Sequence, residues 1–157
     1  MRSRGRTNQA FTLVELMIVV SVLGILAAIV FPTVTNMQDE ARINATIADM
    51  TAMQKGLLMY HRDNNAWPAD VNQQLMPPGM EDYLPAGAFA KTPPTGGRYD
   101  FVRILWPPDV CVRIVTNDTA SDAVHWQEID DRIDNGDQTN GNVIRYVNSL
   151  ALKVGTE

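Results

Sequence analysis

Residues 11–31 read FTLVELMIVVSVLGILAAIVF, preceded by Arg2, Arg4, Arg6 and a small residue, Ala10. Seventeen of the 21 are apolar, and Glu15 is the only formal charge in the run. At about 1.5 Å per residue a helix of this length measures roughly 31 Å, close to the roughly 30 Å hydrocarbon core of a bilayer. The arginines ahead of the run, with no acidic residue among them, hold the N-terminus on the cytoplasmic side and send the rest of the chain away from it. Glu15 is the anomaly. An unpaired carboxylate in a span costs about 3 kcal/mol or more. It therefore sits at the interface or has a partner, which must be a chain terminus, another chain or a lipid. A secretory signal peptide shares the basic-then-apolar layout. This run is longer than a usual signal core, and its best small-residue exit, Leu26-Ala27-Ala28, carries Leu where a small side chain is wanted.

The short basic leader followed by Ala10-Phe11-Thr12-Leu13-Val14-Glu15-Leu16-Met17 resembles the prepilin processing site of type IV pilins and type II secretion pseudopilins. The likeness covers about residues 10–32. The family usually has Gly before the scissile bond, and this chain has Ala10. The resemblance implies that a prepilin peptidase cuts between Ala10 and Phe11 and that the new Phe11 amine is N-methylated. It also implies that Glu15 pairs with the Phe11 amine of a neighbouring subunit. The physics agrees, because a carboxylate among apolar helices needs a cation and cutting creates one. Gly24 and Pro32 match positions where family filaments show a helix that loosens. Gly lowers helix propensity and Pro removes a backbone donor.

Outward from the run, apolar residues continue at helical spacing through Ile43, Ile47, Met50, Met53, Leu57 and Tyr60, while Asp39, Glu40, Arg42, Asp49 and Lys55 mark the opposite face. The spacing predicts one helix to about His61, its second half packed on a globular body. Eight of the nine prolines then fall between Pro68 and Pro108. Residues 66–97 read as a connection with little regular structure beyond one turn at Met80–Leu84. Strands are expected at Tyr99–Leu105 and Val110–Thr116, joined antiparallel through Trp106-Pro107-Pro108-Asp109. A third is expected at His125–Ile129 and a last one at Val143–Leu152. The expected fold class is α+β, a long N-terminal helix, membrane half plus amphipathic half, on a small antiparallel sheet, and the resemblance implies that this arrangement is pilin-like. The divisions are a leader at 1–10, a transmembrane and filament-core segment at 11–31, an amphipathic helical half at 32–62, and a globular head at 63–157.

The chain has 157 residues and a formal charge of -5, which cutting after Ala10 takes to -8 by removing three arginines. That balance argues against nucleic acid as a partner. The one basic grouping in the head is Arg98, Arg103 and Arg113. One cysteine, Cys111, excludes an internal disulfide and reads as a buried thiol in a strand. Seven acidic residues lie between Asp118 and Asp137, among them Asp130, Asp131, Asp134 and Asp137. Two readings stand for this stretch. It is a solvated loop between the last strands, or it holds calcium, as the C-terminal loop of major pseudopilins does. The EF-hand pattern fails, since Ile133 and Asn142 occupy ligand places. No nucleophile elbow, phosphate loop or zinc-protease motif is present, so an enzyme is not expected.

The expected function is a structural subunit of a filament assembled from the inner membrane, a type II secretion pseudopilin. The alternative is a type IV pilin with an adhesion or DNA-uptake role. The expected partners are prepilin peptidase, further copies and other pilin-like subunits. Before assembly the chain is a single-pass inner-membrane protein with its body outside the cytoplasm. After assembly it belongs to a periplasmic or surface filament.

Overall fold

The computed structural model describes residues 11–105, 108–116 and 122–156. Two compact units divide it at Gln38/Asp39. Helix α1 is Leu13–Asn64, followed by β1 Arg98–Leu105, β2 Pro108–Val115, α2 Asp122–Ile133, β3 Val143–Tyr146 and β4 Ser149–Thr156. The expected leader, residue 106 and residue 107 of the β1–β2 turn, and Asp118 of the acidic stretch lie outside the described residues.

In the first unit α1 is apolar all round, and its large side chains from Leu13 to Val34 are exposed. Such a helix has no polar face to give to water and requires an apolar environment on every side. It is the helix among the described residues that is long and apolar enough to cross a membrane. Its two polar side chains within the run are satisfied locally. The Ser21 hydroxyl donates to Met17 O at 2.7 Å, and Glu15 is capped as described below. Gly24 and Pro32 both lie within regular helix. The Thr35 hydroxyl donates to Pro32 O at 2.9 Å just past the missing proline donor.

In the second unit the stripe read from the sequence is the buried face. Ile43, Met50, Met53 and Leu57 are inaccessible, with Ile47 and Tyr60 packed against the same core. Fully burying one such side chain is worth about 1.5–3 kcal/mol. The stripe also contains Gly56, which periodicity of apolar residues alone does not single out. A Cβ there would lie 2.6 Å from a Leu84 methyl. Gly56 is the gap through which the Met80–Leu84 turn reaches the helix. That turn closes by Tyr83 N and Leu84 N donating to Met80 O, both at 3.0 Å.

The sheet order is β1-β2-β4-β3, and every neighbouring pair is antiparallel. Tyr99, Phe101, Val110, Val112, Ile114, Leu150 and Leu152 alternate onto the core face, as period-two patterning requires. Helix and sheet are also pinned by polar bonds. The Tyr99 hydroxyl donates to Asp49 Oδ2 at 3.0 Å, and Gln54 Nε2 donates to Lys153 O at 2.8 Å. On the other face, Asp100 lies directly opposite Arg113 and pairs with it at 2.7 Å, while Lys153 pairs with Asp109 at 3.0 Å.

Two expectations are corrected. The strand expected at His125–Ile129 is helix α2. Trp126 and Ile129 are both fully buried, and residues three apart share a helix face but lie on opposite faces of a strand. The single strand expected at Val143–Leu152 is a hairpin, with Tyr146 paired to Ser149 across Val147 and Asn148. The turn lacks the Asn-Gly or Asp-Gly signal. Uninterrupted alternation through Val143, Arg145 and Val147 concealed it.

Candidate functional site

Two places in the chain gather the residues singled out by sequence. The first is the start of α1. Thr12 N and Thr12 Oγ1 both donate to Glu15 Oε2 at 2.9 Å, and Glu15 N donates to Thr12 Oγ1 at 3.2 Å. This is a capping box, in which a Thr at the helix entry and a Glu three residues on satisfy each other's orphan donors. A charge-based reading points to a cation beside Glu15 and gives no reason to single out Thr12. The signal was present as T-x-x-E ahead of an apolar run. Phe11 and Glu15 are exposed on this unit, and Ala10 lies outside the described residues. Only one oxygen of the Glu15 carboxylate is used by the cap, so Oε1 keeps its full acceptor capacity for a cation from elsewhere.

The second place is the end of α2 and the loop to β3. Arg132 ties this helix to α1: its Nη1 donates to Asn44 Oδ1 at 2.6 Å, its Nη2 lies 3.4 Å from Glu40 Oε1, and the Glu128 carboxylate completes the group. The four aspartates have four different environments. Asp131 Oδ1 accepts from Gln127 Nε2 at 3.1 Å. Asp134 Oδ2 accepts from the amides of Asn142 and Val143 and so closes the loop onto β3. Asp137 Oδ1 accepts from Thr139 N and Thr139 Oγ1. Asp130 is fully buried, and neither carboxylate oxygen has a hydrogen-bond partner. Burial raises its pKa, and the nearby Asp134, Asp131 and Asp137 carboxylates push in the same direction.

Calcium is the cation that the resemblance implies for this loop. Three of the four carboxylates are engaged by donors from α2, the loop and the start of β3. Among the described residues no three His, Cys, Asp or Glu side chains gather as a metal cage. The orphaned oxygens of Asp130 are the feature that a hard cation would satisfy.

The remaining candidates have structural surroundings. Cys111 is buried on β2, where burial, with Asp109 adding to it, pushes the thiol up to about 12. Of the basic grouping, Arg113 is paired with Asp100 at 2.7 Å. His61 stacks on Trp67 at 4.1 Å, and the Trp67 ring fills the space beside Gly155, where a Cβ would approach it to 2.6 Å.

Comparison with known proteins places this geometry. The prokaryotic N-terminal methylation motif family matches residues 5–31, a span that contains the Ala10–Phe11 bond and Glu15. Type II secretion system core protein G of Klebsiella michiganensis is 32% identical over 108 residues, covering 63% of this chain and 76% of that protein. The chain belongs to the type II secretion core protein G family. The family member of Dickeya chrysanthemi is 28% identical over 155 residues, covering 87% of this chain and 98% of that one. The core protein G family thus accounts for the head as well as the N-terminal run. Among solved structures, the major type IV pilin PilA1 from Clostridium difficile superposes with a TM-score of 0.53 at 16% identity. The match covers 76% of this chain and 97% of that one, and shows the shared pilin fold.

Proposed function

We propose that this chain is a pseudopilin, a structural subunit of the type II secretion filament, and not an enzyme. The observation that carries the reading is the start of α1: a stretch apolar all round from Leu13 to Val34 whose one charge, Glu15, is held by Thr12. The precursor waits in the inner membrane with residues 1–10 in the cytoplasm and its head on the far side. Prepilin peptidase removes residues 1–10, and the Phe11 amine is methylated. The free oxygen of Glu15 then takes the Phe11 amine of a neighbouring subunit. Residues 11–31 exchange lipid for neighbouring helices, which keeps both apolar surface and backbone satisfied. Residues 32–62 carry the helix into the head at 63–157. Gly24 and Pro32 are the places where it loosens in the filament. The filament's other subunits are further copies and other pilin-like chains.

A calcium ion enters this reading at Asp130, beside Asp131, Asp134 and Asp137. The support is the buried carboxylate without a donor. The alternative function, a type IV pilin for adhesion or DNA uptake, has less support. The relatives carry the secretion name, and Arg113 is already paired.

The test is the mass of the mature N-terminus after expression with a prepilin peptidase. A chain beginning at methylated Phe11 supports the reading. A chain that keeps residues 1–10, or begins after Ala28, overturns it.

A further inference from the structure

Two Asn-Gly pairs lie five residues apart in the loop between α2 and β3: Asn135-Gly136 and Asn140-Gly141. Such a pair carries a latent reaction. The main-chain nitrogen of the glycine attacks the asparagine Cγ, forming a C–N bond and expelling ammonia, which leaves a cyclic succinimide. Water then opens the ring at either carbonyl. The balance is asparagine plus water giving aspartate or isoaspartate plus ammonia, with no oxidant or enzyme. Glycine makes the attack easy, because no side chain shields its nitrogen. Sequence alone gives the two sites the same standing.

The structure separates them. Asn135 is held at both ends of its side chain: Oδ1 accepts from Asp137 N at 2.8 Å, and Nδ2 donates to Asn140 O at 3.4 Å. The glycine is held as well, since Gly136 O, on the following peptide, accepts from Gln127 Nε2 at 2.8 Å. Its amide would have to give up these contacts to rotate toward Gly136 N. Asn140 is exposed, and its side-chain amide makes no hydrogen bond among the described residues. Gly141 N likewise donates none among the described residues. Only the main chain of Asn140 is anchored, by its N–H to Asp137 O at 2.9 Å and by its carbonyl, which accepts from Asn135 Nδ2 at 3.4 Å; its side chain, the group that must rotate, is not held.

We propose that Asn140 is a self-modification site of this protein, converting to aspartate and isoaspartate through Gly141 N while Asn135 is protected by its hydrogen bonds. The new carboxylate joins a segment that already holds Asp131 at the end of α2 and Asp134 and Asp137 in the loop. Isoaspartate also adds a methylene to the main chain at position 140, two residues before Asn142, whose carbonyl accepts from Lys153 N at 2.7 Å and whose amide donates to Asp134. The modified turn then no longer meets β3 and β4 in register.

The test is incubation of the full chain in detergent micelles in warm, mildly alkaline buffer, followed by peptide mass analysis and isoaspartate detection. A parallel sample is unfolded in urea. The expected result is product at Asn140 alone in the folded protein, product at both asparagines in urea, and no folded-state product in Asn140→Gln. Equal conversion of Asn135 and Asn140 in the folded protein overturns the proposal. So does absence of product at Asn140 in the folded protein.

Discussion

Thr12 and Glu15 hold each other at the entrance of α1: two donors of Thr12 converge on one carboxylate oxygen, and the Glu15 amide returns a bond to the Thr12 hydroxyl. The charge in the apolar run is therefore placed by its own chain before any second subunit arrives. Removing the hydroxyl in Thr12→Ala costs the helix entry about 1 kcal/mol. The expected result in micelles is a severalfold faster amide exchange at Glu15 and the next turn, with Thr12→Ser close to the parent. Unchanged exchange in Thr12→Ala would show that the cap does not form.

Gly56 marks the closest approach of the Met80–Leu84 turn to α1. A larger residue there overpacks the core, and such insertions cost about 1–3 kcal/mol. Gly56→Val is expected to lower the melting temperature of the full chain, and Leu84→Ala combined with it to recover part of the loss. Additive losses in the double variant would contradict the contact.

The Cys111 thiol, pushed up to about 12 by burial, carries almost no thiolate at neutral pH. Alkylation of the folded protein should be slow and should follow unfolding, whereas the urea-unfolded chain reacts at once. Rapid full labelling in native buffer would contradict the buried placement on β2.

Asp130 buries a carboxyl group with no donor, a burden of about 1–3 kcal/mol when neutral and more when ionised. In chelator, Asp130→Asn is expected to melt a few degrees higher than the parent. Added calcium is expected to raise the melting of the parent but not of the variant. A variant that melts lower in chelator would show that the carboxylate is already stabilised by the protein. A parent indifferent to calcium would remove the cation from the loop.

The legibility of this chain follows from how far each signal reaches. The apolar run and the stripe from Ile43 to Tyr60 are long and strictly periodic, so α1 and its buried face were readable. The strands around Tyr99 and Val112 alternate cleanly and are flanked by prolines. Helix α2 was not readable as such, because its buried face rests on Trp126 and Ile129 within a polar dozen residues, and a five-residue window suits a strand equally well. The β3–β4 turn uses Val147 and Asn148, whose residue types carry little turn signal on the valine side. At the start of α1, Glu15 stands out as a charge out of place. Its partner Thr12 does not, because a neutral hydroxyl leaves no mark on a charge reading. Gly56 went unnoticed for a related reason: what it accommodates, Leu84, is distant in sequence.

The central claim is that Glu15 directs the processed helix into a filament. The direct measurement is incorporation of Glu15→Ala into filaments, compared with the parent at equal levels of cleaved protein in the membrane. The account predicts normal cleavage and membrane insertion, with filament incorporation lost. Incorporation equal to that of the parent would contradict it.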